Sequence, residues 1–291
     1  MRILLFLATN MAILLLVSTV FNLLGFESIL AANGVDLNLS ALLVWCALFG
    51  FAGSLISLLI SKWSAKRATG TVIISTPRNR DEQWLLDTVA ELAEAAGIAQ
   101  PEVGIFPSDT ANAFATGWNR NDALVAVSTG LLNRFSANET RAVLAHEIGH
   151  VANGDMVTMT LLQGVVNTFV MFFARVIGHT VDRVVFKTQR GLGIGYYIVT
   201  FIAEIVLALL ASMIVMAFSR WREYRADAAG AHLTTSSDMI AALARLQSEQ
   251  ATPADLPGEL TAFGIRPSSG GFAALFRSHP PLADRIAALK R

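Results

Sequence analysis

The chain has 291 residues, of which 54% are apolar and 15% charged, and its mean hydropathy is +0.53. Soluble domains carry about 25% charged residues, so the composition excludes an ordinary water-soluble globule as well as disorder. Its 22 basic and 22 acidic residues cancel, without the basic excess of a nucleic-acid binder, and the single cysteine, Cys46, excludes an internal disulfide framework and a cysteine-based zinc cluster.

The apolar residues fall into four runs. Ile3 to Phe26 and Leu37 to Ser61 contain no charged residue. Each is long enough to cross about 30 Å of hydrocarbon as a helix. The first exceeds the apolar core of a signal peptide, about 7–15 residues, and a second run follows it closely, so residues 1–61 are expected to form two transmembrane helices. A third uncharged run covers Met156 to Ala174, and a fourth, Gly191 to Ser219, is interrupted only by Glu204. Residues 156–219 are expected to form a hydrophobic hairpin of two transmembrane or partly embedded helices.

Charge sets the orientation. Lys62, Lys66 and Arg67 follow the second run, and Arg220, Arg222 and Arg225 follow the fourth, whereas Glu27 and Asp36 are the charged residues between the first two. The positive-inside rule places the N-terminus, residues 62–155 and residues 220–291 in the cytoplasm. Arg175, Arg183, Lys187 and Arg190 in the hairpin link, against Asp182 alone, oppose export and leave a partly inserted hairpin open.

Outside the runs, Thr71 to Ser75 is a β-branched strand candidate, and Asp81 to Ala96 carries Trp84, Leu85, Val89 and Leu92 at helical spacing. Val103 to Phe106, Ala111 to Thr116 and Leu124 to Ser128 follow as short strands. Ser136-Ala137-Asn138-Glu139 is a capping box that opens a helix running to Asn153-Gly154. Helices are expected over Trp221 to His232, over Ser237 to Glu249 and after Pro281, with a Pro/Gly-rich loop from Thr252 to Gly271. The fold class is therefore α+β: a multi-pass helical membrane protein with this capped helix beside a small sheet.

That helix holds His146-Glu147-Ile148-Gly149-His150. Positions i and i+4 share a helix face, so both imidazoles can reach one tetrahedral Zn²⁺. Glu147 lies beside the metal, where it can take a proton from a bound water. A catalytic zinc wants a third protein ligand. His179, His232 and His279 are candidates, but Glu223 is stronger, because Glu223 and Asp227 share a helix face just after the fourth run. Glu223 can ligate, and Asp227 can accept the outward N–H of a ligating histidine. A solvated juxtamembrane helix, with Arg220, Arg222 and Arg225 around Glu223, is the alternative. His279 precedes Pro280-Pro281 and has three open roles: donating to the oxyanion of the reaction, buttressing Asp227 or Glu223, or capping a helix. Arg285 is expected to pair with an acidic group of the same cleft.

The pair His146-Glu147-Ile148-Gly149-His150 and Glu223-Tyr224-Arg225-Ala226-Asp227 resembles the gluzincin metallopeptidases. Nearly the whole chain resembles their bacterial membrane-bound heat-shock members, relatives of the CAAX-processing membrane proteases. The matching features are the two N-terminal runs, Asn112 to Gly117, Ser128 to Leu132, the hairpin before Ser219, and Ser278 to Ile286. The resemblance implies Glu223 as third ligand, one Zn²⁺ per chain, and a sheet edge at Asn112, Ala113, Phe114 and Ala115 that pairs with extended substrate. It implies an endopeptidase of the bacterial inner (cytoplasmic) membrane that removes damaged, misfolded or misassembled proteins, including membrane proteins. Its partners are then polypeptides and the bilayer, with membrane quality-control proteins or self-association open and nucleic acid excluded. A narrow-specificity protease of the prenyl-protein-processing type is the nearer alternative, and a transporter or scaffold with a structural metal the remoter one.

Overall fold

The computed structural model describes residues 19, 23–32, 35, 37–251 and 275–291. Most of the first apolar run and the Thr252 to Gly271 loop therefore lie outside the described residues. The elements in chain order are α1 (Phe26–Ala32), α2 (Leu39–Leu59), α3 (Ser61–Thr69), β1 (Val72–Ile73), α4 (Arg80–Ala95), β2 (Glu102–Phe106), β3 (Ala113–Asn119), β4 (Asp122–Ser128), α5 (Thr129–Arg134), α6 (Ala137–Asn153), α7 (Asp155–Val184), α8 (Ile194–Leu233), α9 (Ser236–Ala251) and α10 (Leu282–Leu289). They form two compact units: Met1–Leu58 with Val157–Val215, and Leu59–Met156 with Met216–Arg291.

The first unit is helical. Among the described residues α2, α7 and α8 are long and apolar enough to cross a membrane, with mean hydropathies of 2.2, 1.6 and 2.6. Leu39, Leu43 and Cys46 of α2 pack on Phe172 of α7. The hairpin helices exceed the apolar runs that announce them. Arg175, assigned from sequence to the link, lies inside α7, where it donates to Glu204 of α8 at 3.0 Å and stacks over Trp45 at 4.9 Å. Each of these two charges on otherwise apolar helices thus offsets the other. Past α7, the Asp182 carboxylate accepts from Thr188 Oγ1 at 3.0 Å and from the Gly193 and Tyr196 amides at 3.0 and 3.2 Å, folding the turn that starts α8. Only Lys187 and Arg190, of the four basic residues, lie between the helices. Three short helices, α1, α3 and α5, lie outside the elements expected from the sequence.

The second unit is a four-stranded mixed sheet, order β1-β2-β4-β3, with α4 and α6 packed on it and α9 packed on α6 and α10. β2 and β4 are parallel, while β3 pairs antiparallel with β4 and forms the end of the sheet. β4 is buried from Ala123 to Ser128, as its apolar run requires. Local signals fix the helices. Asn79 Oδ1 caps α4 at the Glu82 amide. Ser136 and Glu139 close the expected capping box on α6, and Gly154, with φ 71°, ends it. α6 lies at the centre: Leu144, Ala145 and Ile148 are fully buried, against Val89, Val125 and Leu243 among others.

Leu144→Ala should destabilise this unit by about 2–5 kcal/mol and Ser136→Ala by about 1 kcal/mol. Thermal unfolding of the detergent-solubilised protein, with the two variants side by side, checks the order.

Candidate metal centre

The site is assembled by two helices that meet over glycine. A Cβ on Gly149 of α6 would lie 3.0 Å from Ala229 Cβ and 3.2 Å from the Ala226 carbonyl of α8, and one on Gly230 of α8 would lie 3.2 Å from the His146 amide. Side chains at either position would hold the helices apart. Bare backbone lets His146 and His150 of α6 face Glu223 of α8. The His146 Nε2 lies 3.6 Å from Glu223 Oε2, and the His150 Nε2 lies 3.3 Å from Glu223 Oε1. One ligand atom from each of the three falls within 4.8 Å of the others. Among the described residues this is the grouping of three or more His, Cys, Asp or Glu side chains that could hold a metal; it does not include His179, His232 or His279.

Each histidine is oriented from behind. Asp227, one helical turn beyond Glu223, accepts from His146 Nδ1 at 2.9 Å. Asp155, the first residue of α7, accepts from His150 Nδ1 at 2.7 Å. Both outward nitrogens are thereby used, which leaves both Nε2 lone pairs turned toward Glu223. Arg285 of α10 clamps Asp227 with two bonds, Nε to Oδ2 at 2.7 Å and Nη2 to Oδ1 at 2.6 Å, and its Nη1 stands 3.2 Å from Glu223 Oε2. The sequence paired Arg285 with an unspecified acid; the acid is Asp227. His279 Nδ1 lies 2.8 Å from Glu223 Oε2, although its side chain is 63% exposed. Neither the His279 nor the Arg285 contact to Oε2 has hydrogen-bond geometry, so among the described residues this buried oxygen has no hydrogen-bond partner.

That orphaned oxygen fits a cation. So does the charge count. Glu147, Asp155, Glu223 and Asp227 are four carboxylates in one cluster, and Arg222 and Arg285 are the two guanidiniums among them. With both imidazoles neutral, as metal donors must be, two positive charges are missing, the charge of one divalent ion. Two imidazoles and a carboxylate are donors that suit such an ion. The site opens into a cavity of about 740 Å³ lined by Asn112, Ala113, His146, Glu147, Glu223 and His279, among others. The expected edge residues thus reach the site through Asn112 and Ala113; Phe114 instead packs on Phe106.

The family model for peptidase family M48 matches residues 79–291. "Protease HtpX" of Pseudomonas putida (strain GB-1) is 67% identical over 292 residues, covering 100% of this chain and 99% of that protein. "Protease HtpX" of Pseudomonas syringae pv. syringae (strain B728a) is also 67% identical, with the same coverage. The chain belongs to peptidase family M48. It is a membrane metalloprotease, as its motifs led one to expect. The crystal structure of S. mikatae Ste24p shares its fold, with a TM-score of 0.62 at 21% identity, covering 99% of this chain and 67% of that one.

Sequence reasoning missed Asp155. Its signal is positional: the helix stops at Gly154, and an acid just past that stop can turn back to an imidazole one turn inside. It also missed the spacing role of Gly149 within the motif itself.

Two expectations follow. Gly149→Leu should force α6 and α8 apart, lowering metal content per chain along with thermal stability. The second concerns pH. Burial pulls both imidazoles down, but Asp227 and Glu223 outweigh it at His146, and Asp155, Glu223 and Glu147 hold His150 at about 9. An imidazolium so held stabilises the fold fully below its unfolded value of about 6.5, and that stabilisation is lost as pH rises through about 9. Metal uptake displaces these protons and has the opposite sign. Chelator competition should show affinity rising between pH 6.5 and about 9, by about tenfold per unit for each proton displaced, then levelling.

Proposed function

We propose that this metalloprotease is a zinc endopeptidase anchored in the bacterial inner membrane, with its catalytic unit in the cytoplasm, degrading damaged or misassembled proteins. The observation that carries the chemistry is the convergence of His146, His150 and Glu223 on one point beside Glu147, at the wall of a single cavity. Two imidazoles and one carboxylate make the usual donor set of a catalytic zinc, with one position left for the reactants.

A bound zinc ion supplies Lewis-acid polarisation of the attacking water and of the scissile carbonyl. The Glu147 carboxylate takes the water's proton and delivers it to the leaving amine, so one side chain serves as base and then as acid. Asp227 and Asp155 hold the two imidazoles in the tautomer that faces the ion, and Arg285 holds Asp227. His279, exposed at the cavity wall, is the side chain for donating to the carbonyl oxygen as it gains charge. The end position of β3 in the sheet supports substrate binding by strand addition at Asn112 to Ala115, which reads main-chain groups and tolerates varied sequences. Such tolerance suits removal of damaged chains of many kinds. The basic residues Lys62, Lys66 and Arg67 after α2, and Arg220, Arg222 and Arg225 after the apolar run of α8, support the cytoplasmic orientation.

Purified protein should carry about one Zn²⁺ per chain. Glu147→Gln should keep the metal and lower cleavage of unfolded casein by about 10²–10⁴-fold. His146→Ala, His150→Ala and Glu223→Ala should lose the metal, and Arg285→Gln should weaken its binding by about 10–100-fold. Metal analysis beside a cleavage assay separates these classes. Zinc-dependent cleavage that survives Glu147→Gln overturns the mechanism.

A further inference from the structure

One charged pair of the first unit has no part in the metal centre. Glu204 lies near the middle of the otherwise uncharged Gly191 to Ser219 run, so a bilayer crossed by that run keeps it far from either surface. Arg175 of α7 donates to Glu204 Oε1 at 3.0 Å and to the Met171 carbonyl at 3.1 Å, both through Nη1. Its guanidinium lies over the Trp45 ring of α2. These residues all belong to the unit formed by Met1–Leu58 with Val157–Val215.

The pair is half used. Among the described residues, Glu204 Oε2 and the Arg175 Nε and Nη2 groups make no hydrogen bond. Nor is the pair sealed: the Glu204 side chain is 35% exposed and that of Arg175 19%. Exposed apolar side chains flank it, Phe201 and Ile205 on α8 and Trp45 and Leu48 on α2. An apolar helical face thus carries an open acceptor beside open donors. Stability does not account for them, because replacing a buried ion pair by apolar residues of similar volume is often neutral or stabilising. Lipid tails cannot satisfy these groups. A polar side chain presented by another apolar helix can.

We propose that this face docks a transmembrane helix of another protein that carries a polar or charged side chain within its span. In an assembled membrane protein such side chains pair with one another. A subunit without its partners leaves them open to lipid. The Arg175 N–H groups take a carboxylate or an amide oxygen, and the free Glu204 oxygen takes an ammonium, an amide or a hydroxyl, so one site accepts both signs of charge. It reads the chemical feature that unassembled membrane proteins share, whatever their sequences. The inference deepens the quality-control reading above and rests on it.

The test uses full-length Glu147→Gln protein in liposomes, so that binding is measured without cleavage. Single-span peptides of Leu and Ala carry one guest residue at mid-span: Leu, Asn, Asp or Lys. Binding is followed by Förster transfer from labelled protein to labelled peptide. The Asn, Asp and Lys peptides should bind about three- to thirtyfold more tightly than the Leu peptide. Adding Arg175→Leu with Glu204→Leu should bring all four to the Leu value, with thermal unfolding in detergent reporting that this variant folds. Equal affinities for all guests, with both charges in place, overturn the proposal whether or not the double variant folds. Transfer between two copies of the protein that the double variant abolishes and polar guests leave unchanged gives the face to self-association, and overturns it too. Casein separates the two readings. Casein cut by the zinc-loaded parent, with guests bound equally, leaves the protease reading standing and removes the docking face. Polar guests preferred, with casein and guest peptides all uncut by the zinc-loaded parent, leave the docking face and overturn the protease reading.

Discussion

Everything at the centre depends on two helices approaching closer than side chains normally allow. A metal bound by residues from α6 and α8 requires their donor atoms within a few ångströms, and long side chains at the crossing would prevent it. Gly149 and Gly230 remove the obstruction, with Ala226 and Ala229 filling what space is left. The second residue after Glu147 is therefore small for a mechanical reason. The same crossing buries Glu223 and Asp227 to 1% exposure, and burial at that level makes each unmatched charge expensive.

The surrounding residues answer that expense in layers. Arg285 arrives from the C-terminal helix to hold Asp227 in a fork, Asp227 and Asp155 hold the histidines, and the histidines face Glu223. Each layer limits the freedom of the one inside it, so the donors are arranged before an ion arrives. Arginine suits the outermost place, since its planar fork matches both carboxylate oxygens and never loses its charge. Lysine there would keep the charge and lose the plane.

Much of this was legible in the sequence because it rests on local periodicity. The i,i+4 spacing of His146 and His150, and of Glu223 and Asp227, needs only a helix, and the capping box at Ser136 and the apolar spans are local signals too. What was not legible depends on residues far apart meeting. Asp155 was overlooked because its meaning appears only once Gly154 turns the chain. Arg175 was assigned to a link because a charge normally ends a span; its partner Glu204 stands 29 positions away and cancels that signal. The separation of span four from the helix carrying Glu223 was an artefact of polarity, since Ile194–Leu233 is one continuous helix whose surroundings, not its backbone, change after Ser219. Short helices such as α3 have too few turns to show a period.

The catalytic unit is discontinuous: Leu59–Met156 and Met216–Arg291 are separated in the chain by a membrane hairpin. A ribosome delivers the two histidines and Glu147 well before the carboxylate that completes the set with them, and Arg285 nearly last. Between these events the whole of Val157–Val215 must be made. A half-made copy thus has Glu147 and both histidines but no third donor. A copy cut short within the hairpin therefore keeps the His146–His150 motif and lacks the three-donor geometry that could hold a metal.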